Sequence, residues 1–268
     1  GGNLKIQEFM IMPREDIDFR TKLENVTAVY HKLGKILVEK YGLSAKNLGD
    51  EGGFAPQLNT PNEALTIIQE AIKECGFEPG KDIFLALDCA ASEYYDKKTG
   101  KYEVQSGIFL DRYELCSYYK DLLNDFPALK SIEDPFDEYD YEAWSIFMKE
   151  VINRMSRKVM VVGDDLYTTN CETVKKGIEN QWANSLLLKV NQIGTITEAV
   201  DAAKLMFGEN MDVIVSHRSG ETSSTLIADL AVGIGAKYIK TGAPARGERV
   251  AKYNRLLEIE DFLSENNM

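Results

Sequence analysis

The sequence predicts an α/β protein, a (β/α)8 barrel with an irregular ββαα start followed by six βα units. Short continuous apolar runs alternate with amphipathic stretches along most of the 268 residues. Continuous apolar strands paired with helices mark a parallel sheet buried on both faces. Six such units, plus an opening that supplies two strands, total eight, the number that closes a barrel. No Ser-, Pro- or Gly-rich linker and no charge run interrupts the pattern, so residues 1–268 read as one domain.

The elements follow in order. Residues 4–12, LKIQEFMIM, read as a strand carrying the single charge of Glu8 after Lys5, and Pro13 closes it. Residues 18–41 place Phe19, Leu23, Val26, Leu33, Leu37 and Tyr41 at helical spacing, with Gly42 as the stop. His31 on this helix reads as a surface histidine. The loop 49–56, GDEGGFAP, sets adjacent glycines beside two acids, a composition suited to a backbone that approaches a ligand closely. A helix over 62–75 follows Pro61 and ends at Gly76. Strands are expected near 83–88, 129–133, 159–164, 185–189, 213–216 and 237–240. Helices are expected near 111–124, 141–152, 171–178, 194–205, 221–232 and 245–263, with an extra strand pair at 94–96 and 102–104.

The strand ends carry the chemistry. Three apolar strands end in acid: Asp88, Glu133-Asp134 and Asp164-Asp165. Burying carboxylates is costly unless a cation or proton meets them, and a hard divalent ion such as Mg²⁺ takes oxygen ligands of this kind. The next strand ends are Lys189, His217-Arg218-Ser219 and Lys240. In a barrel, the C-terminal ends of all strands share one rim. Lys189 closes an apolar run, where burial would shift it toward a usable base, and Lys240 repeats the pattern. His217-Arg218-Ser219-Gly220-Glu221, read as a strand end opening a helix, combines an arginine fork, a hydroxyl and helix N-terminal N–H groups into an anion site. Gly233-Ile234-Gly235 is a turn rather than a dinucleotide fingerprint.

Composition narrows the class. A net charge of −12 and a pI near 4.8 argue against a nucleic-acid or membrane-surface partner. Cys75, Cys89, Cys116 and Cys171 form no C-x-x-C pair and read as reduced thiols. No apolar run approaches the ~20 residues of a membrane span, and no leader pattern opens the chain. A cytoplasmic enzyme is the expectation.

The motifs QEFMI, GDEGGFAP, LALDCAASEYYD, SIEDPF, GDDL, LLLKVNQIGT, VSHRSGET and IKTGAPARGERVAKYN, in this order, resemble the C-terminal domain of the enolase family. The resemblance implies a TIM-like barrel of the enolase type that dehydrates 2-phosphoglycerate to phosphoenolpyruvate. It implies two Mg²⁺ per active site, the first on Asp88, Glu133 and Asp164. Lys189 is implied as the base, and Glu51, aided by Glu8 and Gln7, as the acid side. Ser216, Arg218 and Ser219 correspond to the phosphate site, Lys240 to a contact with the substrate carboxylate, and His217 to a position beside the leaving group. A homodimer is implied for the full-length protein.

Enolases also carry an N-terminal capping domain whose serine loop completes the second Mg²⁺ site, and that domain is not among these residues. Activity is therefore expected of the full-length protein rather than of this segment alone. Where the family has a Gly-Gly-Ser-His-Ala-Gly-Asn loop, this chain reads Gly1-Gly2-Asn3. The expectation is that loop residues belong between Gly2 and Asn3. Two other readings compete: a Schiff-base aldolase-type barrel using Lys189 or Lys240, and a non-catalytic protein that kept the fold.

Overall fold

A computed structural model describes residues 4–266; the Gly2–Asn3 junction lies outside the described residues. The chain opens with β1 (Glu8–Pro13), α1 (Phe19–Tyr41) and α2 (Pro61–Glu74), then β2 (Ile83–Asp88). A small antiparallel sheet of β3 (Tyr95–Asp96), β4 (Lys101–Gln105) and β5 (Ile108–Leu110) precedes α3 (Arg112–Asp125). Then come β6 (Leu129–Glu133), α4 (Tyr141–Ile146), β7 (Met160–Gly163), α5 (Cys171–Asn180) and β8 (Ser185–Leu188). The chain continues with α6 (Val190–Ile193), α7 (Ile196–Gly208), β9 (Asp212–Ser216), α8 (Leu226–Gly233), β10 (Tyr238–Lys240) and α9 (Gly247–Glu265).

The main sheet runs β1-β2-β6-β7-β8-β9-β10, antiparallel only between β1 and β2. Among the described residues it has seven strands, because the opening contributes one strand, not two. The sheet curls until its edges meet through side chains. Lys240 on β10 reaches Glu8 on β1 at 3.3 Å. Tyr238 of β10 and Met12 of β1 pack on one inner core of Met160, Val162, Leu187 and Ile214.

That inner core explains where the site lies. Side chains alternate along a strand, so inward Val162, Leu187, Ile214 and Tyr238 fix the inward parity of Asp164, Lys189, Ser216 and Lys240. Met12 does the same for Glu8, two pairs of residues back along β1. Glu8 pairs with Asp88, and Asp88 with Glu133, in the strand register. One layer of inward positions at the strand ends therefore gathers all seven. The alternate residues, among them Leu87, Ile132, Val161, Leu186 and Val215, pack outward against the helices.

Local signals set the helices. Asp18, Thr60, Asp111, Asp140, Asn170 and Thr195 cap N-termini through their side chains. The helix expected over 141–152 is instead α4 followed by a wide turn over Phe147–Val151 and a tight one over Ile152–Arg154. That break buries Phe147, Met148, Val151 and Ile152 together. The helix expected from residue 221 begins at Leu226, since Glu221 accepts from the N–H of Arg218 and of Thr222 and holds a loop instead. All four cysteines are free, with Cys89 and Cys116 buried, and His31 is exposed. Among the described residues no helix is long and apolar enough to cross a membrane.

Candidate active site

A cavity of about 250 Å³ opens at the strand ends, lined in part by Gln7, Glu8, Asp88, Asp164, Lys189 and Ser216. Lys240 stands at its centre. Its Nζ lies 2.8 Å from Asp88, 2.9 Å from Glu133 and 3.3 Å from Glu8. Burial alone would discharge this lysine, but Glu133, Asp88 and Glu8 hold its pKa well above the ordinary value. Burial, reinforced by Asp88, pushes Glu133 far up against the pull of Lys240. Glu133 lies beneath the cavity floor, 2% exposed.

A second ion pair stands beside the first. Lys189 Nζ donates to Asp164 Oδ2 at 2.5 Å, and Gln192 Nε2 donates to Asp164 Oδ1 at 2.9 Å. Thr169 binds both the Lys189 N–H and the Gln192 amide oxygen. Asp134, at φ 40°, spans the turn after β7: its two carboxylate oxygens accept the N–H groups of Asp164 and Asp165 at 2.9 Å each. The left-handed backbone costs about 1 kcal/mol or more, which these two bonds to a carboxylate offset.

Glu51 enters from the 49–56 loop. Its Oε1 accepts from Ser219 Oγ at 3.0 Å, and its Oε2 lies 3.0 Å from His217 Nε2. Nε2 is buried, with Glu51 as its near neighbour. The glycines beside Glu51 serve close packing of backbone. A Cβ on Gly52 (φ 80°) would sit 2.6 Å from Ala245 O, and one on Gly242 (φ 86°) 2.8 Å from Glu51 O. At Gly52 the close approach is between two loops, clamped by Tyr30 Oη donating to Gly52 O at 2.7 Å. Burial pushes Glu8 up to about 8, helped by Asp88 and Glu51 and opposed by Lys240. Burial would also raise Glu51, yet His217, Glu8 and Lys240 hold it well below the carboxylate range. Burial thus favours the protonated form of Glu8, and its neighbours favour the ionised form of Glu51.

Arg218 and Ser219 face the cavity on an exposed loop, Arg218 Nη1 reaching Asn191 Oδ1 at 3.0 Å. Ser216 Oγ donates to the His217 carbonyl at 2.9 Å. With α8 starting at Leu226, Ser219 does not lie at that helix's N-terminus. An anion here would meet a guanidinium and a hydroxyl rather than the N-terminus of α8.

The cavity lining holds seven carboxylates, Glu8, Glu51, Asp88, Glu93, Asp134, Asp164 and Asp165, against Lys189, Arg218 and Lys240. An anionic ligand needs further positive charge in such a place. The donors are oxygens, the set a hard divalent ion prefers. Among the described residues, Asp134, Asp164 and Asp165 form a carboxylate trio with oxygens within 4.8 Å of one another. Asp134 is occupied with backbone N–H groups, whereas Asp88, Glu133 and Asp164 meet only side-chain cations and amides apart from one N–H, that of Ala90 on Asp88.

The family profile described as the enolase C-terminal TIM barrel domain matches residues 1–268. The chain belongs to the enolase family. Enolase of Pyrococcus furiosus is 52% identical over 263 residues, which cover 98% of this chain and 60% of that protein. The enolases of Thermococcus gammatolerans and Methanocaldococcus jannaschii are each 51% identical over 263 residues, 98% of this chain and 60% and 59% of theirs. This enolase barrel thus spans about 60% of the length of the curated relatives it matches.

In this enolase domain every site residue singled out in the sequence lies at or just beneath one cavity. Sequence reasoning assigned no task to Asp134, Gln192, Arg249 and Lys252. Asp134 had a visible signal as the second acid of SIEDPF, and Gln192 sits within LLLKVNQIGT. Arg249 and Lys252 lie in a helix where basic residues ordinarily face solvent, and nothing in the spacing marks them as fully buried.

Proposed function

We propose that the full-length protein carrying this barrel is a Mg²⁺-dependent hydro-lyase that interconverts 2-phosphoglycerate and phosphoenolpyruvate in glycolysis and gluconeogenesis. The observation that carries the reading is the separation of two sets of partners around one cavity: Lys189 with Asp164, and Glu51 with His217 and Ser219. An elimination needs such a pair, a base for the α-proton and an acid side for the departing hydroxide.

Asp88, Glu133 and Asp164 would hold Mg²⁺. When bound, it supplies positive charge that stabilises the extra negative charge developing on the substrate carboxylate. Enolase-superfamily sites with a Lys base and Mg²⁺ are themselves a worked case of this chemistry. Lys240 faces the same carboxylate with a second, fixed positive charge. Lys189 takes the α-proton as the neutral amine, after the ammonium that pairs with Asp164 has given a proton to solvent. Glu8 holds the proton beside Glu51, so the Glu8–Glu51 pair, with Gln7, can protonate the leaving hydroxide. Arg218, Ser219 and Ser216 orient the phosphate, while His217 lies beside the leaving group. The second Mg²⁺, a cytoplasmic location and a homodimeric assembly come with the family reading.

The test is direct. The full-length protein, given 2-phosphoglycerate and Mg²⁺, is expected to form phosphoenolpyruvate, followed by its ultraviolet absorbance, and EDTA should stop it. No product, or product formation insensitive to EDTA, overturns the reading.

A further inference from the structure

Helix α9 sends two cations toward the site without entering it. Arg249 and Lys252, three residues apart and so on one helix face, are both fully buried. Lys252 Nζ donates to the carbonyls of Thr222 and Glu248 and lies 3.5 Å from Glu221. It fastens the loop that leads away from the cavity.

Arg249 does more. Its Nη1 lies 2.7 Å from His217 Nδ1 and donates to the Arg218 carbonyl at 2.7 Å. Its Nη2 donates to the carbonyls of Ser219 at 2.8 Å and Asp50 at 3.0 Å. One planar fork thus joins the loop holding Glu51 to the loop holding His217, Arg218 and Ser219.

The chemistry of the fork decides the state of the imidazole. A guanidinium has only donors, so a hydrogen bond at Nδ1 requires a lone pair on Nδ1. The neutral ring then carries its proton on Nε2. A doubly protonated ring would set an N–H against an N–H at 2.7 Å. Nε2 faces Glu51 Oε2 at 3.0 Å, and His217 is 2% exposed. The Nε2 hydrogen is buried and faces the Glu51 carboxylate. Burial, with Arg249 and Lys240 adding, lowers the His217 pKa against the pull of Glu51, in agreement with a neutral ring.

We propose that Arg249 is a positioning residue that fixes His217 as the neutral Nε2–H tautomer, with that N–H facing Glu51, and holds the Glu51 loop in register with it. Its use in turnover rests on the enolase reading of the cavity. A plain structural strut would satisfy the carbonyls and leave the tautomer unconstrained.

The test reads the ring directly. Full-length protein labelled with ¹⁵N-histidine, with His217 assigned through His217→Gln, should show a protonated Nε2 and an unprotonated Nδ1 at neutral pH without substrate. Exposed His31 should average between tautomers and serves as the reference. Arg249→Lys, which lacks the fork, should release the tautomer and lower kcat roughly tenfold or more with a smaller change in KM. A protonated Nδ1 or an averaging His217 in the unmodified protein overturns the proposal. So does a folded Arg249→Lys with unchanged tautomer and kcat. If that variant does not fold, the spectrum of the unmodified protein decides alone. A fixed tautomer in a protein inactive on 2-phosphoglycerate overturns the enolase reading instead.

Discussion

Lys240 Nζ lies 2.8 Å from Asp88 Oδ2, although the two residues stand on strands that are not neighbours in the sheet. The curl of the sheet brings them together, and Glu8 and Glu133 join the same ammonium. The lysine is thus the cation shared by three inward carboxyl groups.

Removing it should therefore expose the carboxylates to one another. Lys240→Met in the full-length protein should lose on the order of 3–5 kcal/mol of stability, the cost of breaking a buried ion pair by deleting one partner. Mg²⁺ should restore more of that loss than it adds to the unmodified protein, because the acids then have a second source of positive charge. Thermal unfolding with and without Mg²⁺ checks this. A variant that melts with the unmodified protein in EDTA would show that the acids are not held by this lysine.

Lys189→Ala tests the base. Solvent deuterium should no longer enter the α-position of 2-phosphoglycerate, with turnover reduced by roughly 10²–10⁴-fold. Mg²⁺ affinity should change far less, since Lys189 only shares Asp164 with Gln192. Persistent exchange by NMR would move the role of base to another residue.

Glu51→Gln should separate two steps that Lys189→Ala blocks together. Its carboxylate contacts His217 and Ser219 rather than Lys189. The variant is therefore expected to keep α-proton exchange while phosphoenolpyruvate formation falls. Equal loss of both would tie Glu51 to proton abstraction and break the division of labour.

Why the site was so legible follows from its position on the strands. Each acid or lysine ends an apolar run, and a charge there is conspicuous against Leu187, Val162 or Ile132. The barrel rim then gathers them irrespective of long-range detail. Legibility failed where the determinant was tertiary. The helix expected at 221–232 starts late because Glu221 turns back on Arg218 and meets Lys252. Nothing in the spacing of 221–226 encodes that partner. Arg249 looks like any basic residue of a helix until two loops close on it. Among the described residues only β1 joins the sheet ahead of α1 and α2, so seven of the eight expected barrel strands are seen.

The far end of the barrel offers a test of its closure. Glu15, just past β1, receives Lys130 of β6 at 2.8 Å and Tyr238 of β10 at 2.5 Å. It spans the two edge strands of the sheet. The Lys130 contact, with Tyr238 second and burial opposing, lowers the Glu15 pKa to about 2. A carboxylate depressed in the folded state stabilises the fold above its ordinary pKa of about 4.3 and loses that contribution as pH falls toward the folded value. Glu15 is 49% exposed at its side chain, so solvent screening keeps the effect to about 1 kcal/mol or less. Glu15→Gln should be less stable than the unmodified protein by that margin from pH 7 to pH 5, and the gap should narrow below about pH 4.3. Denaturant midpoints across this range decide it. A gap that is absent at neutral pH, or that widens in acid, would mean that Glu15 does not latch β10 to β1.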